Sequence, residues 1–160
     1  MRVMGIDPSL NSTGYCIIEK EGEKISILEK GVITPTSNKL TEKLFFLSQR
    51  IKEVIENYSP DEVALENVYG SPFKKSSILL SLSSGAIIVA ISEKGKPVFQ
   101  YTATEIKKAV TGWGRAGKED VKKMLKKFLN IEDGIKSDIS DAIAVAICHI
   151  FTSSKLRDLR

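Results

Sequence analysis

The stretch RVMGIDP, residues 2–8, decides the fold. Its middle is apolar on both alternating faces, so it reads as a strand over 2–6 that is buried on both sides. It stops at a carboxylate, Asp7, followed by Pro8, which cannot continue a central ladder. Working outward, 13–19 and 24–33 read as two further strands, with Gly14, Glu21-Gly22-Glu23 and Gly31 as turn or bulge residues. These three strands predict an antiparallel meander. Leu40, Leu44, Leu47, Ile51, Val54, Ile55 and Tyr58 follow helical spacing until Ser59-Pro60 ends the run. DEVALE at 61–66 is a strand that again ends on a carboxylate, Glu66. A buried helix is expected over 77–93, a fifth strand over 97–101 and a short helix over 104–110. The glycine-rich loop TGWGRAG follows, then an amphipathic helix over 118–129. A last helix over 137–151 has Ser137 as its N-cap. The order βββ-α-β-α-β-α-α-α predicts one α/β domain, residues 1–160, with a mixed five-stranded sheet flanked by helices and a frayed tail at 154–160.

Composition narrows the class. Apolar residues make up 42% and charged residues 28% of the 160, which excludes disordered, collagen-like and low-complexity chains. Lysine and arginine number 24 against 20 acidic residues, a net charge of +4 that suits a polyanion partner without requiring one. Cys16 and Cys148 lie in apolar surroundings and read as reduced thiols. The N-terminus has no apolar signal core, and the apolar stretch at 142–151 is too short to span a bilayer. A cytoplasmic protein with no membrane partner is expected.

Four carboxylates carry the chemistry. Asp7 and Glu66 end two strands, and if those strands are parallel neighbours both emerge at one sheet edge, where α/β sheets build their sites. Asp138 and Asp141 are three apart, so they share a face in the first turn of the last helix, where the helix dipole favours negative charge. Taken singly, each has an ordinary role as a turn or helix-start residue. Taken together, their placement suits a hard divalent cation such as Mg²⁺, which takes carboxylate oxygens and keeps water ligands. Two such ions roughly 3.5–4 Å apart can activate water and stabilise a leaving oxygen in phosphodiester hydrolysis.

Four blocks resemble one family. GIDPSLNSTGY (5–15) is similar to the G-I-D-P-G-x-x-x-T-G-Y-G opening of RuvC, the bacterial Holliday-junction resolvase family. ALENVY (64–69), VFQYTATEIKKAVTGWGRAGK (98–118) and SDISDAIAVAICH (137–149) resemble its later segments in the same order and spacing. The resemblance runs from residue 3 to about residue 150. It implies an RNase H-like fold and a homodimer that resolves four-way junction DNA by symmetrical paired nicks in recombination and repair. It also implies a partnership with the RuvA-RuvB branch-migration complex. Asp7, Glu66, Asp138 and Asp141 fall on the family's catalytic metal-ligand positions, for two Mg²⁺ ions that Mn²⁺ can replace. Tyr69 falls on a base-stacking aromatic, and Lys107 and Lys118 on two basic positions near the scissile phosphate. Ser9 and Cys16 replace family glycines. SLSSG at 81–85 lacks the arginine of a helix that serves the family's dimer interface. The alternatives are another RNase H-like nuclease and a junction-binding module without catalysis.

Other residues point to DNA less directly. Lys118, Lys122 and Lys126 recur at helical spacing, which makes either a solvated face or a phosphate-binding one. Lys74 and Lys75 follow Tyr69 and could track a DNA backbone, and Phe73 could be a second wedge or a buried ring. GWGRAGK at 112–118 imitates a P-loop, but Glu119 stands where Ser or Thr is needed for a metal ion. A loop offering Arg115 and Lys118 to phosphate fits better. Trp113 suits either packing or stacking. His149 is the single histidine and reads as structural.

Overall fold

In a computed structural model, residues 1–67, 75–129, 131 and 134–158 are described, the side chains of 154–158 excepted. The elements are β1 (Arg2–Asp7), β2 (Thr13–Glu21), β3 (Lys24–Ile33), α1 (Leu40–Tyr58), β4 (Glu62–Glu66), α2 (Lys75–Glu93), β5 (Val98–Tyr101), α3 (Ala103–Thr111), α4 (Lys118–Leu129) and α5 (Ser137–Asp158). The five strands form one sheet in the order β3-β2-β1-β4-β5. β1, β2 and β3 pair antiparallel, as the meander required. β4 joins β1 in parallel and β5 joins β4 in parallel. The register pairs Gly5 with Ala64 and Ile6 with Leu65. One step further, Asp7 and Glu66 stand side by side at the carboxyl edge of the sheet.

Alternation along the central strand separates two cores. Met4 and Ile6 face one side, with Leu47, Ile51 and Ile55 of α1 and Ile87 and Ile91 of α2. Val3 faces the other side, with Val121 and Leu125 of α4 and the apolar run of α5. Fully burying such an aliphatic side chain contributes about 1.5–3 kcal/mol. Gly5 lets α5 lie directly on β1: a Cβ there would sit 2.2 Å from the Ala142 carbonyl oxygen and 2.7 Å from the Ala146 Cβ.

Local chemistry sets the helix ends. Ser59 adopts the left-handed conformation, φ 45°, and its N–H bonds Ile55 O at 2.8 Å, ending α1 where Ser59-Pro60 predicted. Thr102 and Glu105 form a reciprocal capping box that starts α3, and Gly112, φ 81°, closes it.

Three expectations need correction. α2 is not buried throughout. Ser83, Ile87, Ala90 and Ile91 are buried, with the helix packed chiefly against α1, while Ile78, Leu82 and Val89 are 52%, 42% and 58% exposed. Small residues interleave with apolar ones on every side, which hid the exposed face from a periodicity argument. By length and mean hydropathy alone α2 could also cross a bilayer. Ser137 is the first helical residue rather than the N-cap, because the Ser140 N–H already bonds Lys136 O at 3.0 Å. α5 runs on to Asp158, past the expected end at residue 151.

Candidate active site

The four acidic residues come together. Parallel pairing of β1 and β4 brings Asp7 beside Glu66. In the antiparallel ladder Asp7 pairs with Gly14 of β2. Gly14 in turn meets α5 so closely that a Cβ there would be 2.0 Å from the Asp138 carbonyl oxygen. This contact seats the N-terminal end of α5 over the carboxyl edge of the sheet, with Asp138 in its first turn and Asp141 in the next turn rather than in the first as expected.

The electrostatics record the crowding. The Asp7 carboxyl is raised from 3.8 to about 7 by burial, then by the negative charges of Glu66, Asp141 and Asp138, with Lys118 opposing. Glu66 is raised as well, by burial and then by Asp141, while Lys118 and Lys107 pull the other way. The Lys118 ammonium lies 3.5 Å from the Asp141 carboxylate. The Ser137 hydroxyl donates to the same carboxylate at 3.4 Å, and the Ser12 hydroxyl donates to the Asp138 carboxylate. Beside these groups opens a cleft of about 180 Å³, lined by Glu66, Lys107, Lys118 and Asp141 among others.

Acidic neighbours that raise the proton affinity of Asp7 and Glu66 call for a cation, and the donors offered are all hard oxygens. Among the described residues no three acidic, histidine or cysteine side chains close into a ready-made cage. That suits Mg²⁺, which keeps several waters and binds one or two carboxylates rather than a complete protein shell. The chemistry of the donor set therefore fits the expected metal.

The expected DNA contacts divide. Lys107 and Lys118 line the cleft, whereas Lys122 does not and lies 3.5 Å from Glu119. Arg115 is exposed on the loop before α4, and Lys75 is exposed at the start of α2. Tyr69, Phe73 and Lys74 lie outside the described residues. Trp113 is 60% exposed, on a turn held by Thr111, whose hydroxyl accepts from the Trp113 N–H and donates to its carbonyl. His149 is 1% exposed and bonded to Tyr101 and Glu62, with the Phe99 ring 4.5 Å away, so it is structural as expected.

Ser12, Thr13 and Gly14 contribute to the site unforeseen. Their signal was Ser-Thr-Gly at the start of a strand, where the meander turns back towards Asp7.

The family profile described as crossover junction endodeoxyribonuclease RuvC matches residues 3–149. The chain belongs to the RuvC family. It is 44% identical to the RuvC of Trichlorobacter lovleyi over 151 residues, covering 94% of this chain and 85% of that one. It is 41% identical to the RuvC of Geobacter sulfurreducens over 164 residues, covering all of both. Among solved structures it is similar to Thermus thermophilus RuvC in complex with Holliday junction substrate. That match has a TM-score of 0.90 at 28% identity and covers 97% of this chain and 96% of that one. The yeast mitochondrial Holliday junction resolvase Ydc2, at 13% identity and a TM-score of 0.75, shares the fold alone. The RNase H-like architecture expected of RuvC members is thus present, and the α/β domain is that of a nuclease.

Proposed function

We propose that this chain is a metal-dependent endodeoxyribonuclease that resolves Holliday junctions, with Asp7, Glu66, Asp138 and Asp141 as its catalytic metal ligands. One observation carries the site assignment. Four acidic residues from three elements converge, and burial followed by the charges of the other three holds the Asp7 proton to about pH 7, next to a cleft that also receives Lys107 and Lys118. Such an arrangement is costly unless a cation completes it.

The ion is Mg²⁺, two per site, with Mn²⁺ able to substitute. When bound, it supplies positive charge that engages the phosphodiester, activates water and stabilises the leaving 3′ oxygen. The chain's own residues do the rest. Asp7 and Glu66, on adjacent strands, form a rigid pair of oxygen donors, and the N-terminal end of α5 adds Asp138 and Asp141 from above. Lys107 and Lys118 hold the scissile phosphate and offset its charge, and Arg115 and Lys75 contact flanking phosphates. Lys122, away from the cleft, serves more distant backbone contacts, and Lys74 the strand beyond Tyr69. Tyr69 stacks on a base, which needs only its π-face. The products carry 5′-phosphate and 3′-hydroxyl ends.

Paired nicks need two sites related by symmetry, so the working form is a homodimer. The exposed stripe of Ile78, Leu82 and Val89 on α2, with Gly85 between them, supports this reading. A RuvA-RuvB complex is the partner that the family implies, in the cytoplasm.

The test is a labelled mobile four-way junction with Mg²⁺, run beside a linear duplex, an EDTA control and Asp7→Asn. Symmetrical nicks on the junction alone, lost with EDTA and in the variant, are expected. Cutting by Asp7→Asn at the normal rate would overturn the metal-site assignment. Tight junction binding without nicks would mark a binding module instead.

A further inference from the structure

We infer that Ser12 is a positioning residue that holds the Asp138 carboxylate in place for the metal, through the hydrogen bond from its hydroxyl. This rests on the metal-site reading of Asp138 given above.

The hydroxyl is placed by a built turn. Thr13 is fully buried, and its side chain closes the loop after Asp7 from both directions. It donates to the Ser9 carbonyl at 2.5 Å and accepts from the Ser9 N–H at 3.2 Å. The residue after Thr13 is Gly14, the one pressed against the Asp138 backbone. Three consecutive residues therefore act on one acid. Gly14 seats its main chain, Thr13 stiffens the loop, and Ser12 bonds its side chain.

Asp138 and Asp141 are held by different means. Asp141 has the Lys118 ammonium at 3.5 Å and the Ser137 hydroxyl at 3.4 Å. Asp138 has the neutral Ser12 donor on Oδ2. A carboxylate has two oxygens and about four lone-pair sites, so a hydroxyl on Oδ2 leaves Oδ1 open to a cation. A neutral donor also fixes the carboxylate without adding a positive charge that would compete with the cation. Partners of this kind orient metal ligands, and losing one typically weakens metal affinity about 10- to 100-fold.

The experiment titrates Mn²⁺ into the DNA-free protein by calorimetry and by electron paramagnetic resonance. It compares wild type, Ser12→Ala, Ser12→Thr and Asp7→Asn. Junction affinity in EDTA, unfolding temperature and the Mg²⁺ concentration for half-maximal nicking are measured alongside. Ser12→Ala is expected to weaken Mn²⁺ binding about tenfold or more and to raise the Mg²⁺ requirement to match. Its junction affinity in EDTA and its unfolding temperature stay at wild-type values. Ser12→Thr, which keeps a hydroxyl, restores most of the Mn²⁺ affinity. Wild-type Mn²⁺ affinity in Ser12→Ala, with Asp7→Asn impaired, would overturn the role of Ser12 and leave the metal site standing. Unimpaired Mn²⁺ binding in Asp7→Asn would overturn the site reading itself. Equal loss in Ser12→Ala and Ser12→Thr, with a lowered unfolding temperature in both, would reduce Ser12 to a structural residue.

Discussion

Asp7 shows at the residue scale how function strains stability. In the metal-free protein its carboxyl titrates near 7, against 3.8 unperturbed, first because it is buried and then because Glu66, Asp141 and Asp138 face it. The sign follows from linkage. Below about pH 4 both folded and unfolded chains hold the proton, and Asp7 has no effect on stability. Between about 4 and 7 the folded chain keeps a proton that the unfolded chain has released, so stability falls as pH rises through that window. The full loss is on the order of 2–4 kcal/mol, allowing for partial solvent access. Asp7→Asn in EDTA should therefore unfold at a higher temperature than wild type at pH 8 and at the same temperature near pH 4. A stability difference that does not change with pH would show that the carboxylates do not repel one another. Mg²⁺ should stabilise the wild type more at pH 8 than at pH 5, read in the same thermal scans. The cysteines shift in the same sense, since burial first raises Cys16 to about 12 and Cys148 to about 11, and both stay protonated, inert thiols at neutral pH.

At the scale of elements, the site depends on how closely α5 lies on the sheet. Gly5 and Gly14 mark the two contact points, with backbone of α5 directly above each. Gly5→Ala must push α5 off β1 near Ala142, so a loss of about 1–3 kcal/mol is expected in urea denaturation. An unchanged midpoint would mean that α5 is free to shift. Capping is separable from catalysis. Thr102→Ala removes the box that starts α3 and should cost about 1 kcal/mol of stability while nicking continues. Helix boundaries were readable where such chemistry is local, as at Ser59-Pro60 and along α4. They were less so at α5, where burial against the sheet rather than a cap sets the start.

At the scale of the molecule, the sheet edge collects the acids and α2 turns an apolar stripe outward. Leu82→Lys places a charge within that stripe. It should shift the sedimentation coefficient from dimer to monomer and abolish paired nicking, with the fold intact by circular dichroism. A wild-type sedimentation profile would move the subunit contact elsewhere.

Element order, the strand-end acids and the i, i+3 pair at 138 and 141 were legible in the sequence, because periodicity, turn residues and helical spacing are local properties of the chain. The four family blocks carried the proposed site residues with them. Other features needed the tertiary structure. Residues as distant as Ser12 and Asp138 become partners only when β2 and α5 pack, and no local pattern encodes that approach. The exposed face of α2 was likewise decided by packing, since its composition is nearly uniform around the helix and only its packing, chiefly against α1, selects which side is covered. Crowding of four like charges is also a tertiary fact. Each acid is unremarkable along the chain, and the shift at Asp7 arises first from burial and then from the charges of Glu66, Asp141 and Asp138, both of which only the fold supplies.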